Sequence, residues 1–179
     1  AKYIFVSNNF RFGFKREGDV NLLKKSQSKY KFILKNPKPL IKNKKIISST
    51  LIRKLLMDGK LKEANSLLSR NWIVEGIVQK GRQLGKKIGF PTCNIDLGNY
   101  VIAKTGVYAV KVKIQNSQRY FKGIANLGYR PTFNQKKILL EVNLFNFSRN
   151  LYNKKLSVEF IKFIRGEKKF NGIDQLRNQ

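Results

Sequence analysis

The spacing of apolar and polar positions changes character near Arg70-Asn71. Upstream of it, short apolar runs follow both periods of regular structure. Tyr3-Ile4-Phe5-Val6 is continuously apolar and reads as a buried strand. Asp19 stands in an N-cap position ahead of Val20, Leu22 and Leu23, which predict a short helix, and Tyr30 to Leu34 reads as a second strand. After the break at Asn36-Pro37-Lys38-Pro39, Leu40 to Ile47 forms a third extended piece. Ser48-Ser49-Thr50 then precedes Leu51, Ile52, Leu55 and Leu56, a helical spacing that stops at Asp58-Gly59, and Leu61 to Leu68 predicts another short helix. Strands alternating with helices predict an α/β unit with some parallel pairing. Its first strand has no element before it, which suggests a piece of a larger fold.

From Trp72 onward, apolar residues alternate with polar ones at period two between Gly, Asn and Pro. Six strands are predicted: Trp72 to Gln79, Phe90 to Ile95, Val107 to Ile114, Tyr120 to Asn126, Ile138 to Phe145 and Leu156 to Phe163. Strands at this short spacing, with a helical start over 171–176, predict a closed or nearly closed antiparallel barrel. The domain boundary falls at 68–70, giving 1–68 and 70–179.

Composition narrows the chemistry. The chain has 179 residues and no histidine, which excludes a Ser/His/Asp triad and any His metal ligand within it. Cys93 is the single cysteine, so there is no intrachain disulfide and a reducing compartment is favoured. No apolar run approaches the roughly 18 residues of a spanning helix and no signal-peptide core is present, so a soluble, cytoplasmic protein is expected. The formal net charge is +28, from 38 Lys and Arg against 10 Asp and Glu. The excess divides evenly, +14 over residues 1–70 and +14 over 71–179. Charge spread in this way fits solvated lysines and anionic small molecules better than a dedicated nucleic-acid face. A basic small barrel that binds nucleic acid without catalysis is the alternative.

Three constellations carry candidate chemistry. Between Lys80 and Asn94, glycines at Gly81, Gly85 and Gly89 stand among cations including Lys86 and lead into Pro91-Thr92-Cys93-Asn94. Such a segment would let backbone N–H groups approach phosphates, while Thr92 and Asn94, two apart in extended chain, emerge on one face and offer oxygens to a hard cation such as Mg²⁺. A basic hairpin loop with a Pro at a strand start has the same spacing. Second, Glu141 shares one face of its strand with Leu139, Asn143 and Phe145, so partial desolvation would make it a better proton acceptor. A solvated strand Glu beside a Lys reads identically. Third, Ser48, Ser49 and Thr50 with Arg53 one turn further on make an anion site or an ordinary N-cap. Asn9-Phe10-Arg11 could touch a ring system or simply pack.

In order, these motifs resemble a known family. The basic glycine loop into Gly89-Phe90-Pro91-Thr92-Cys93-Asn94, then Gly106-Val107-Tyr108-Ala109, Gly123 to Phe133, Leu140-Glu141-Val142, Leu151-Tyr152 and Phe163-Ile164-Arg165-Gly166-Glu167-Lys168-Lys169-Phe170 resemble the riboflavin kinase domain. Asn9 to Gly13, Gly18-Asp19 and Ile47 to Arg53 look like the second half of the FMN adenylyltransferase domain that precedes it in bacterial bifunctional FAD synthetases. The resemblance implies a Rossmann-like nucleotidyltransferase fragment over 1–68 and a kinase barrel over 70–179. It implies ATP and riboflavin as substrates, FMN as product, Mg²⁺ as cofactor, and no nucleic-acid or membrane partner.

Residue by residue, the resemblance implies that Glu141 is the base for the ribityl 5′-hydroxyl. Thr92 and Asn94 would hold Mg²⁺ and ATP phosphates under a flap of Gly81, Gly85, Lys86 and Gly89. Leu144, Asn146 and Tyr152 would border adenine; Arg165, Lys168 and Phe170 would border the flavin. In the other half, Ser48, Ser49, Thr50 and Arg53 would form a phosphate site, and Asn9, Phe10 and Arg11 a flavin or nucleotide region. The sequence departs from the pattern at Cys93, where Ala is usual, at Lys86, where Arg is common, and at Ser7 and Asn9, where Gly and Asp are frequent. The family's adenylyltransferase half also uses a His-x-Gly-His motif, which a chain without histidine lacks. Riboflavin phosphorylation, without complete FAD synthesis, is therefore the expected activity of these residues.

Overall fold

The structure, a computed structural model, describes residues 1–42, 44–81, 89–131, 136–168 and 175. The chain divides into two compact units, Ala1–Ser48 and Ser49–Gln179.

In the first unit, β1 (Tyr3–Phe5) pairs in parallel with β4 (Ile33–Lys35), with Tyr3 opposite Ile33. Parallel pairing needs a crossover, and α1 (Val20–Tyr30) supplies it. The Asp19 side chain caps α1 by accepting from the Leu22 N–H at 2.8 Å. Lys31, in the left-handed region, ends the helix, and the Gln27 side chain accepts from the Leu34 N–H at 2.7 Å, turning the chain into β4. The second strand is therefore shorter than the apolar run suggests, because Tyr30 is spent in the helix. β1 is buried in part: Val6 just beyond it is buried and Ile4 is half-buried, while Tyr3 and Phe5 are 48% and 71% exposed, and β1 has one neighbouring strand among the described residues. Two short hairpins complete the unit. β2 (Arg11–Phe12) pairs with β3 (Gly18–Asp19), and β5 (Ile41–Lys42) pairs with β6 (Lys45–Ile46), so the third extended piece is folded back on itself.

The second unit begins with α2 (Ser49–Met57) and α3 (Leu61–Leu68). Their buried residues Leu55, Leu56, Leu61 and Ala64 join the same core as the barrel. Asn65 of α3 fastens the joint. Its Nδ2 donates to the Phe160 carbonyl at 3.0 Å and its Oδ1 accepts from the Trp72 N–H at 2.8 Å.

β7 (Trp72–Gln79), β8 (Cys93–Asp96), β9 (Gly106–Ile114), β10 (Tyr120–Pro131), β11 (Lys136–Leu144) and β12 (Lys155–Arg165) close into a barrel in the order β10-β11-β8-β7-β12-β9, with antiparallel neighbours throughout. The six predicted strands are these six. β8 starts later than Phe90 because Pro91 offers no N–H and Gly89 turns the chain at φ +85. Period-two alternation puts Val74, Val78, Ile95, Val112, Leu140, Val142 and Val158 inside, each at most 1% exposed. One part of the core is aromatic: Phe160 lies 4.5 Å from Trp72 and 5.0 Å from Tyr108, ring centre to ring centre. The helical start expected over 171–176 lies, Gln175 apart, outside the described residues.

Candidate functional site

Because each β-strand alternates its faces, the inner residues fix what the outer wall carries. With Ile95, Leu140, Val142, Ala125 and Leu127 inside, Asn94, Glu141 and Asn126 must point outward. Register aligns them: Asn94 stands opposite Glu141, and Glu141 opposite Asn126. Directly opposed residues have Cα atoms about 5 Å apart, so an amide, a carboxylate and a second amide sit side by side. Val107 on β9 continues the row beyond Asn126, and Arg165 on β12 stands opposite Val107. A shift of register between Phe163 and Arg165 brings Arg165 to that position.

Asn94 is the anomaly of this wall. Although it points outward, it is 7% exposed, and its Oδ1 has no hydrogen-bond partner among the described residues. Gly81 lies against it: a Cβ there would overlap the Asn94 Nδ2 and come 2.8 Å from its Cγ. An unpaired buried oxygen is costly, and it suits a hard cation, which takes oxygen ligands. Thr92, half-buried, stands two residues ahead, just outside the strand. No group of three His, Cys, Asp or Glu side chains able to hold a metal occurs among the described residues. The donors present fit Mg²⁺ held by a few protein oxygens together with substrate phosphates.

Cys93 faces the other way. It pairs with Val142 on the inner side, packs against the core, and burial pushes its thiol up to about 11. The thiol of the departed Ala position therefore lies inside the barrel rather than beside Asn94.

A cleft of about 690 Å³ opens at the end of β11. One wall is Gly89-Phe90-Pro91 and the other runs from Asn143 to Ser148. Asn143 Nδ2 donates to the Pro91 carbonyl at 2.7 Å and ties the two walls. Asn146 takes a left-handed turn at φ 54, and Phe147 is braced edge-on against Phe121 at 5.0 Å. The volume suits a small ligand. Asn143 and Glu141 are two apart on one face, so the cleft begins about 7 Å along the strand from the carboxylate.

The structure thus brings Gly81, Asn94 and Glu141 together, and places Gly89, Leu144 and Asn146 in the adjoining cleft. Tyr152, whose N–H donates to Asn150 Oδ1 at 2.9 Å, packs against the core without lining that cleft. Arg165 ends the outward row with Nη1 donating to the Gly166 carbonyl at 3.0 Å, and Lys168 is exposed beyond it. Gly85, Lys86 and Phe170 lie outside the described residues. Ser49, Thr50 and Arg53 are exposed on α2 of the second unit, while Ser48 ends the first. Asn9 Oδ1 accepts from the Ser7 hydroxyl at 2.8 Å, Phe10 stacks on Phe12 at 5.8 Å, and Arg11 lies 3.9 Å from Asp19. Sequence reading overlooked Asn126, although its alternation with Ala125 and Leu127 already set it on the outer wall.

A closed six-stranded antiparallel barrel, with a cleft at one end of β11 and an acid–amide row on its outer wall, defines the class of molecule. Comparison with known proteins gives the family. The riboflavin kinase family model matches residues 68–179, and the FAD synthetase model matches residues 1–51. Bifunctional riboflavin kinase/FMN adenylyltransferases from Buchnera aphidicola subsp. Acyrthosiphon pisum and Haemophilus influenzae are 43% and 40% identical over 99% and 100% of this chain. A crystal structure named as a macrolide-efflux protein from Streptococcus pneumoniae superposes with a TM-score of 0.81 at 32% identity, covering 99% of this chain and 57% of that one. The chain belongs to the riboflavin kinase/FMN adenylyltransferase family. It spans 57% and 58% of the length of those two relatives. Among the described residues, no helix is long and apolar enough to cross a membrane.

Proposed function

We propose that this chain phosphorylates riboflavin at the ribityl 5′-hydroxyl, converting ATP to ADP and riboflavin to FMN. The observation that carries the reading is the Asn94–Glu141 pair: a carboxylate beside a buried amide oxygen without a partner among the described residues, two residues along β11 from a cleft, within the stretch matched by the riboflavin kinase family. In this reading Glu141 accepts the hydroxyl proton, the hydroxyl oxygen bonds to the γ-phosphorus, and the bond from that phosphorus to the bridging oxygen breaks as ADP leaves. Asn94 and Thr92 would hold Mg²⁺, which when bound neutralises phosphate charge. The cleft between Gly89 and Asn146, with Leu144 in its floor, takes the nucleotide base. The family resemblance also assigns Tyr152 to the base, although it does not line this cleft, and assigns the cover to Gly81 and Gly89 with Gly85 and Lys86, which lie outside the described residues. Arg165 and Lys168 take the flavin ring at the far end of the row, and Phe170, outside the described residues, is assigned to the same ring. Burial of Asn94 supports the assignment, because a positioned oxygen in a dry site acts more strongly than one in water.

Residues 1–68 form the end of an FMN adenylyltransferase domain and 70–179 the kinase domain; α2 begins within the stretch matched by the FAD synthetase model, and α3 ends where the riboflavin kinase match begins. Ser48, Ser49, Thr50 and Arg53 serve a phosphate of that second reaction, and Asn9, Phe10 and Arg11 its flavin or nucleotide. The partners are small molecules rather than nucleic acid, and the compartment is the cytoplasm. The test is incubation with riboflavin, ATP and Mg²⁺ followed by chromatographic separation of flavins. FMN formed in step with ADP supports the reading. A chain that binds single-stranded nucleic acid with a steep salt dependence, and forms no FMN, overturns it.

A further inference from the structure

The outward row has a second carboxylate that the proposed reaction does not use. After β12 the chain passes from Arg165, opposite Val107, through Gly166 to Glu167, and the Glu167 side chain comes to rest on Gly128 of β10. A Cβ on Gly128 would collide with Glu167 Oε1 and lie 3.1 Å from its Cδ, so the carboxylate occupies the space that the glycine leaves. Asn126 borders the same space, its Nδ2 3.6 Å from that Cβ position. Gly128 and Asn126 are two apart on one face, and Asn126 is the residue opposite Glu141. Glu167 therefore sits on the outer wall beside Asn126, the row's member next to the proton acceptor Glu141 on the side toward Arg165, although it is distant from Glu141 in sequence.

Resting on the reading of Glu141 as the acceptor of the terminal hydroxyl, with Arg165 at the ring, this position lies along the chain that joins the two. An ionised carboxylate accepts hydrogen bonds and donates none. A flavin ring offers one such donor, the N3–H, whereas the ribityl chain offers several hydroxyls. We infer that Glu167, seated on Gly128 beside Asn126, is a positioning residue that accepts hydrogen bonds from the secondary hydroxyls of the ribityl chain and so selects a polyhydroxylated acceptor. A carboxylate there also disfavours an acceptor that carries a second anionic group along its chain, because like charges repel where water is displaced.

The experiment is a fluorescence-quenching titration of the full chain with riboflavin and with lumiflavin, which has a methyl group in place of the ribityl chain. Wild type, Glu167→Gln, Gly128→Ala and the double variant are compared, the alanine displacing the carboxylate without altering it. Each single variant should bind riboflavin about tenfold more weakly, the loss expected of one charge-assisted hydrogen bond, and lumiflavin within about twofold of wild type. The double variant should match the singles, since both act through one contact. In the FMN assay the riboflavin KM should rise by the same factor with kcat within about threefold. Equal losses for the two flavins, or unchanged riboflavin affinity in Glu167→Gln, overturn the assignment. A wild type that binds riboflavin through Glu167 yet makes no FMN sinks the kinase reading and leaves this one standing.

Discussion

Replacing Asn94 by Leu separates what this residue does for the fold from what it does for a ligand. Asn94 is 7% exposed and its Oδ1 is unpartnered among the described residues, a situation that costs a folded protein about 1 to 3 kcal/mol. Leu has nearly the same volume and no polar atom, so it removes that cost. Any hydrogen bond donated by Nδ2 is lost as well, which returns about 1 kcal/mol. The net gain is about 0 to 2 kcal/mol, or up to about 8 °C in Tm for a unit of this size. Ligand binding moves the balance the other way. At a hundredfold excess over Kd, Mg-ATP stabilises the wild type by about 2.7 kcal/mol, and Asn94→Leu should forfeit nearly all of it. Thermal denaturation followed by circular dichroism should show the variant melting at or above the wild type without ligand and below it at a hundredfold excess of Mg-ATP over the wild-type Kd. A variant that melts several degrees lower without ligand shows that Oδ1 is satisfied, and one that keeps the full Mg-ATP shift removes Asn94 from the nucleotide site.

Further outcomes follow from the same contacts. Gly81→Ala places a methyl group into the space of the buried Asn94 carboxamide, so it should weaken Mg-ATP binding about tenfold or more, as read by calorimetric titration, and lower Tm by a few degrees. Phe160 is fully buried between Trp72 and Tyr108, and Phe160→Ala should cost about 3 to 5 kcal/mol in urea unfolding; a loss below 1 kcal/mol would contradict the packing described. Burial lifts the Cys93 thiol to about 11, so the folded protein holds this proton more tightly than the unfolded chain does. Its contribution to stability is whole below about pH 8.5 and is lost as pH rises toward 11. Iodoacetamide at pH 8.5 should therefore label native protein slowly and urea-unfolded protein quickly, and equal rates would refute the inward placement.

The barrel was legible because its strands alternate strictly, and alternation fixes both the fold and the outward face of Glu141. What pattern could not supply was register. That Asn94, Glu141 and Asn126 share one row depends on pairing between strands up to about 50 residues apart, and no local signal encodes it. Glu167 on Gly128 escaped for the same reason, since the contact joins a loop to a strand remote in sequence. Strand ends were misjudged where a single residue overrode the apolar run, as Lys31 did by closing α1 and Pro91 did by delaying β8. Of Tyr3 to Val6, Val6 is buried and Ile4 half-buried as the run predicts, while Tyr3 and Phe5 are exposed in this chain, where β1 has one strand partner among the described residues.

The central claim is that Glu141 takes the proton of the acceptor hydroxyl, and the direct measurement is kcat for FMN formation by Glu141→Gln beside wild type at saturating riboflavin and Mg-ATP. Gln keeps the shape of the side chain and withdraws its proton affinity, so kcat should fall by about 10² to 10⁴ while the Kd for riboflavin stays within about threefold. Near-normal turnover in Glu141→Gln, with riboflavin still bound, would contradict the account.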